Sequence, residues 1–289
     1  MWRRRGLRDA LVLGRDGLGL LVGALASGAA AAVVYALESA PLEAAHVAVR
    51  PPEQLWSFRG ALSSLDHSAV RRGWQVYKAV CSGCHSLRYV CYRQLVGVCL
   101  TEGEAREAAA EQQVRDGPDQ AGEYFTRSGK LQDSVPEPYP NEEAARAANE
   151  GALPVDLSYV VNARHHGPDY VFGLLTGYTE PPAGVELREG QAYNVYFDGG
   201  ALGMGEILQD GLVDYEDGTP ATKSQMAKDV VEFLMWTSNQ EWEARKLLCF
   251  RAIILCTILG VTVYSLYRQR MSHIKNTKIC FIPKSRNKC

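Results

Sequence analysis

The 289-residue chain has no second C-x-x-C pair and no H-x-x-x-H pair, so the ligand spacings of a four-coordinate structural zinc site are missing. It shows no internal repeat and no βαβ pattern, which removes repeat arrays and a thioredoxin-like setting for a redox pair of cysteines. Methionine is scarce, at five residues. Cysteine is not, at eight, but Cys249 and Cys256 fall in an apolar run and Cys280 and Cys289 in the tail. The other four, Cys81, Cys84, Cys91 and Cys99, are too few and too clustered to staple a body of this size. With 46% hydrophobic and 22% charged residues the chain is too apolar to be disordered, and it is long enough for a domain with a real core plus appendages.

Charge is uneven although the formal net value is only −2. Residues 38–246 hold 18 Lys and Arg against 31 Asp and Glu, a net of −13, and the two ends hold the compensating bases. An acidic body suits a basic soluble partner, and basic ends suit membrane surfaces. Residues 1–15 contain five arginines and one acid, as organelle-targeting presequences do, and an Ala- and Gly-rich apolar stretch follows at 18–37. A two-part presequence over 1–44 is expected, cut between about 38 and 46. The second apolar run, 247–267, spans roughly 31 Å as a helix, enough for a bilayer. Its one charge, Arg251, lies a turn from the start, where it can reach the interface. The tail 268–289 carries seven bases and no acid, which places it on the matrix or cytoplasmic side with the acidic body opposite.

The body, 45–246, reads as mostly α with long loops. A helix is predicted over 66–80, capped by Asp66, with Val70, Trp74, Tyr77 and Val80 at helical spacing. A polar helix is expected over 101–113, an exposed excursion over 116–141, and an Ala-rich helix over 141–150. Residues 170–178 are short and aromatic. Glycines punctuate 181–206, a loop with room for a short hairpin. Thr222 to Gln225 has the capping-box pattern, opening a helix with Met226, Val230, Phe233 and Leu234 on one face; it is expected to run through Trp236 and Trp242 towards the membrane.

Cys81-Ser82-Gly83-Cys84-His85 is C-x-x-C-H, the c-type haem attachment pattern. Two thiols at this spacing add across the two vinyl groups, and the adjacent His85 lies under the iron as proximal ligand. A helix leading into the motif presents all three groups from one support. The sixth ligand is sought far along the chain. Met226 and Met235 sit in a helix as core candidates, whereas Met204 sits alone in a glycine-rich loop that can wrap over a flat face. A thioether opposite the histidine raises the reduction potential and favours electron transfer. His165 and His166 are the alternatives and would give a lower potential. Arg164 has two readings, a fork for the haem propionates or a solvated surface arginine.

Nine blocks of sequence now resemble the cytochrome c1 family, the haem subunit of ubiquinol–cytochrome c reductase (complex III). They are WSFRG at 56–60, SLDH at 64–67, RGWQVY at 72–77, VCSGCHSL at 80–87, YRQLVG at 92–97, YPNEEAARAAN at 139–149, DLSY at 156–159, DYVFGLLTGY at 169–178 and DGTPAT at 217–222. The resemblance implies a mainly α fold, a class I cytochrome c-type haem domain with long loop insertions and one C-terminal transmembrane helix. It implies one haem c on Cys81 and Cys84, His85 and Met204 as axial ligands, and Arg164 near the propionates. It also implies Asn149, Pro154 and Tyr170 in the pocket lining. Residues 102–123 fall where the family has an acidic loop that meets a small acidic subunit.

The implied role is a one-electron relay in the mitochondrial inner membrane, single-pass, with the haem domain in the intermembrane space and the C-terminus in the matrix. The electron comes from the Rieske iron–sulfur protein and goes to soluble cytochrome c, contributing to the proton gradient. Cytochrome b completes the expected partners in a dimeric complex, and no nucleic acid is expected. The chain would be a subunit of an enzyme and no catalyst by itself. Two other classes remain at this point: a haem enzyme binding peroxide or a gas at an open iron, and a structural subunit that has lost its haem. The chain also departs from the family. Where the family pattern resembles Met-Ala-Pro-Pro, it has Met204-Gly205-Glu206-Ile207, and it has Val155 where a second proline is usual. A ligand loop without those prolines is expected to be less stiff, altering the potential or the stability of the ligand bond.

Overall fold

The computed structural model describes residues 49–279. The expected presequence over 1–44 and the end of the basic tail, 280–289, lie outside the described residues. Seven helices are present among the described residues: α1 (His67–Ala79), α2 (Tyr92–Leu95), α3 (Glu102–Ala110), α4 (Glu142–Ala148), α5 (Pro168–Thr176), α6 (Lys223–Ser238) and α7 (Trp242–Asn276). Two small antiparallel pairs accompany them, β1 (Gln113–Asp116) with β2 (Phe125–Ser128), and β3 (Ala192–Tyr193) with β4 (Ala201–Leu202).

The core is the crossing of α1 and α6, with α5 packed on α6. Asp66 starts α1 by accepting hydrogen bonds from the free amides of Ser68 (3.0 Å) and Ala69 (3.3 Å). Val70, Trp74 and Tyr77 follow one face of α1 into the core. Thr222 starts α6 in the same way, accepting from Gln225 N at 3.3 Å. The expected capping box is only half formed: the Gln225 amide donates to Asp229 instead of returning to the cap.

The two helices approach so closely that a Cβ on Gly73 would stand 2.1 Å from the Asp229 carbonyl oxygen, so only glycine fits there. Around that point Trp74, Tyr77, Phe233 and Trp236 form an aromatic cluster with ring centroids 5.8–5.9 Å apart between neighbours. Arg72 grips the buried Asp229 with two hydrogen bonds, at 3.0 and 3.1 Å, and reaches Asp217 with a third at 2.9 Å. Residues 53–59 are sewn to the core by two more carboxylates. Asp169 accepts from Trp56 Nε1 (2.7 Å), Gln54 N (2.9 Å) and Arg59. Glu232 accepts from Ser57 Oγ at 2.9 Å.

Two expectations need correction, the end of helix 101–113 and the run of α6 towards the membrane, and one segment left without an assignment, 170–178, gains one. Helix 101–113 stops at Ala110, because residues 113–116 turn into a strand, and the exposed excursion contains the β1–β2 hairpin. Residues 170–178 lie mostly in α5, which Pro168 opens with its φ already suited to a first turn. α6 does not run on to the membrane helix: Asn239, with φ −144° and ψ 56°, ends it, and α7 starts afresh at Trp242. Lys246 fixes that new start. Its ammonium donates to the carbonyls of Phe58 (3.1 Å), Gly60 (2.8 Å) and Ser63 (2.8 Å) and lies 4.9 Å from the Trp242 ring. At 35 residues, α7 is longer than the 247–267 run and covers about 52 Å. Trp242 packs against the core, but the apolar side chains of 247–267 are exposed, and the helix is long and apolar enough to cross a membrane.

Candidate cofactor site

Beside the α1–α6 crossing opens an apolar cavity of about 520 Å³. α1 delivers its end to one wall. A 3₁₀ turn at Cys81–Gly83 continues from the helix, and the amides of Cys84 (3.1 Å) and His85 (2.8 Å) both close on the Cys81 carbonyl. That turn points Cys81, Cys84 and His85 into the same space. The His85 carbonyl accepts from Tyr77 Oη at 3.0 Å.

His85 Nδ1 stands 2.7 Å from the Val155 carbonyl. A carbonyl only accepts, so Nδ1 carries the proton and Nε2 keeps a lone pair, as a metal-ligating imidazole requires. Burial lowers the His85 pKa, with the Val155 contact opposing it, so the ring is held neutral. Behind the histidine Asp156 joins two loops, accepting from Ser86 Oγ (2.8 Å), Arg88 N (2.9 Å) and Ser158 N (3.0 Å). Burial would raise the Asp156 pKa, but these hydrogen bonds outweigh it and hold the carboxylate ionised. Burial, with the neighbouring Cys84 charge adding to it, pushes the Cys81 thiol up to about 12.

Eight sequence-predicted residues line this one cavity: Cys81, Cys84, His85, Met204, Arg164, Asn149, Pro154 and Tyr170. Met204 comes from the loop after β4 and is half-buried. His165 and His166, the alternative ligands, are exposed and do not line it. Met226 and Met235 are core, as expected. Arg164 stands exposed at the rim, where its side chain bonds only to the Ala163 carbonyl among the described residues (3.1 Å). Asn149 ends α4 and donates to Ala145 O (2.7 Å) and to Tyr139 Oη (3.1 Å). Tyr139 was not foreseen; its hydroxyl stands 3.9 Å from Cys84 Sγ. Val155 and Tyr178 were not foreseen either. The Tyr178 hydroxyl is buried with no hydrogen-bond partner among the described residues, and burial followed by the Glu206 charge raises its pKa.

These residues fit a haem c. Two thiols and a neutral imidazole converge at one end, a thioether lies on a separate strand of chain, and Leu153, Val160, Leu174, Leu175, Val230 and Leu234 supply apolar walls. The orphaned Tyr178 hydroxyl and the Arg164 fork, which meets no carboxylate among the described residues, suit an occupant that carries acceptors or negative charge on part of its edge. Bound haem c would supply a single reversible iron couple, its potential set by the axial ligands and their surroundings.

The Cytochrome C1 family model matches residues 56–274. Cytochrome c1-2, heme protein, mitochondrial, of Solanum tuberosum is 53% identical over 228 residues, which are 79% of this chain and 88% of that protein. Cytochrome c1, heme protein, mitochondrial, of Kluyveromyces lactis is 51% identical over 257 residues, 88% of each chain. The cytochrome b-c1 complex catalytic subunit, mitochondrial, of Candida albicans is 50% identical over 243 residues, 84% of each chain.

Proposed function

The chain belongs to the cytochrome c1 family, and we propose that it carries one haem c, covalently held by Cys81 and Cys84 and ligated by His85 and Met204, as the electron-relaying subunit of a mitochondrial cytochrome b-c1 complex. The observation that carries this reading is the convergence of the C-x-x-C-H turn and Met204 on one apolar cavity.

In this reading the chain accepts one electron from the Rieske iron–sulfur protein and passes it to soluble cytochrome c. No group on the chain makes or breaks a substrate bond. Val155 and Asp156 hold His85 in the tautomer and orientation that present Nε2. The leucine and valine walls keep water away, which lowers the reorganisation that accompanies a change of charge. Arg164, Asn149, Pro154 and Tyr170 complete the lining, with Arg164 compensating the propionates. The acidic balance of residues 38–246 complements a basic soluble partner.

α7 anchors the chain in the inner membrane. The acid-free tail after residue 267 lies in the matrix, and the haem domain, 45–246, lies in the intermembrane space. Cytochrome b, the Rieske protein and a small acidic subunit are the partners of the assembled, dimeric complex. Carbon monoxide tests the relay against an enzyme with an open iron: a Met-ligated protein leaves its reduced spectrum unchanged under the gas, whereas an open iron shifts it.

A further inference from the structure

Met204 is carried by a strap that the backbone scarcely holds. Upstream, β4 pairs with β3 and ends at Leu202. Downstream, Leu208 is buried and Gly211 N donates to the Ala221 carbonyl at 2.8 Å. Between them, residues 203–208 make no backbone–backbone hydrogen bond among the described residues. Gly203, Gly205, Glu206 and Ile207 are exposed, and a Cβ on Gly205 would meet nothing within 4 Å.

The strap is nevertheless tied to one residue at the start of α6. Glu206, two residues past Met204, pairs with the Lys223 ammonium. Asp210 accepts from the Lys223 amide at 2.6 Å. Lys223 is the first residue of α6, the helix that sends Val230 and Leu234 into the cavity wall. The Glu206–Lys223 pair is the only side-chain polar contact made by residues 203–208 among the described residues. Gly203 sits against Ala152, where an added Cβ would stand 2.7 Å from the Ala152 methyl, but chain from the open Gly205 onward, with no proline, has several conformations, and a tie next to the ligand removes those in which the thioether swings out.

We propose that Glu206 and Lys223 are positioning residues for Met204: their ion pair clamps the ligand strap to the start of α6 and sets the fraction of molecules with the thioether in place. This rests on Met204 being an axial ligand. A partly exposed ion pair shifts such an equilibrium by about two- to fivefold. It is also weakened by high salt, since the Debye length falls to roughly 3 Å at about 1 M, comparable to the separation of a contact ion pair.

The test uses the full-length protein in membranes, comparing the parent with Glu206→Gln, Lys223→Met and the swap Glu206→Lys/Lys223→Glu. The readouts are the sulfur–iron band of the oxidised protein and the fraction of reduced protein that binds carbon monoxide. That fraction should rise about two- to fivefold in either single variant and fall back towards the parent in the swap. Raised ionic strength should increase it in the parent and leave it flat in Lys223→Met. Adding Gly205→Ala to Lys223→Met should recover part of the loss, because the methyl stiffens the strap without a clash. Parent-like carbon monoxide binding in both single variants, with the sulfur–iron band present in the parent, overturns the clamp alone. Absence of that band in the parent overturns the ligand assignment and the clamp together.

Discussion

The two walls of the cavity are built in opposite ways. On the histidine side a helix runs straight into a 3₁₀ turn, and Tyr77, Val155 and Asp156 each hold that turn by a hydrogen bond of 3.0 Å or less. On the methionine side residues 203–208 have no such ladder among the described residues, and one ion pair and one buried leucine keep the strap in place. The firm wall resists change because removing one contact leaves the others. The loose wall is where small changes of sequence tune the site. A covalently attached group needs the first wall to be permanent, but a thioether ligand needs only to be on the iron most of the time.

Substitutions on each side should separate the two walls, and the largest effect belongs to the firm one. Cys81→Ser with Cys84→Ser should abolish haem that survives denaturation, read by haem staining of a denaturing gel. Next, Met204→Leu should leave the stain intact but remove the sulfur–iron band, open the iron to carbon monoxide and lower the potential, within the roughly 0.8 V range that axial ligands span. The contrast between these two outcomes is what the difference in construction predicts.

Behind the firm wall, Gly73→Ala should cost about 1–3 kcal/mol in denaturant unfolding, because its methyl collides with the Asp229 carbonyl and pushes α1 off α6. Gly205→Ala on the strap, where the methyl meets nothing, should cost nothing measurable. Equal losses at the two glycines would break the comparison.

The smallest effect concerns Glu232, buried against Ser57 with its pKa raised, first by burial. A carboxyl whose folded pKa lies above its unfolded value contributes stability that is full below the ordinary carboxylate pKa and is lost as pH rises through the raised value. Thermal unfolding of the parent should therefore lose this contribution on going from about pH 4 upwards. Glu232→Gln, which cannot ionise, should show a flatter profile over the same range.

Much of this was legible in the residues. Asp66 before the 70/74/77 apolar spacing gave α1, and C-x-x-C-H at its end gave the attachment turn, because both signals are local. Met204 could be singled out because the other described methionines lie in helices. What was not legible depends on contacts between distant segments. The break at Asn239 follows from Lys246 reaching back to residues 58–63, some 183 or more positions away. The pairing of β1 with β2 has little alternation to betray it. The Val155 carbonyl is a backbone group and leaves no trace in side-chain identity. The strap was correctly read as lacking proline, yet the partner that compensates, Lys223, lies 17 residues on and looks like any first-turn lysine.

The most direct test of the central claim is the reduced-minus-oxidised visible spectrum of the membrane-bound protein, recorded with haem staining after denaturation. Covalent haem c on Cys81 and Cys84 between His85 and Met204 predicts a c-type band, stain that survives denaturation and a far-red sulfur–iron band in the oxidised state. A protein that retains no haem on denaturation would contradict the account.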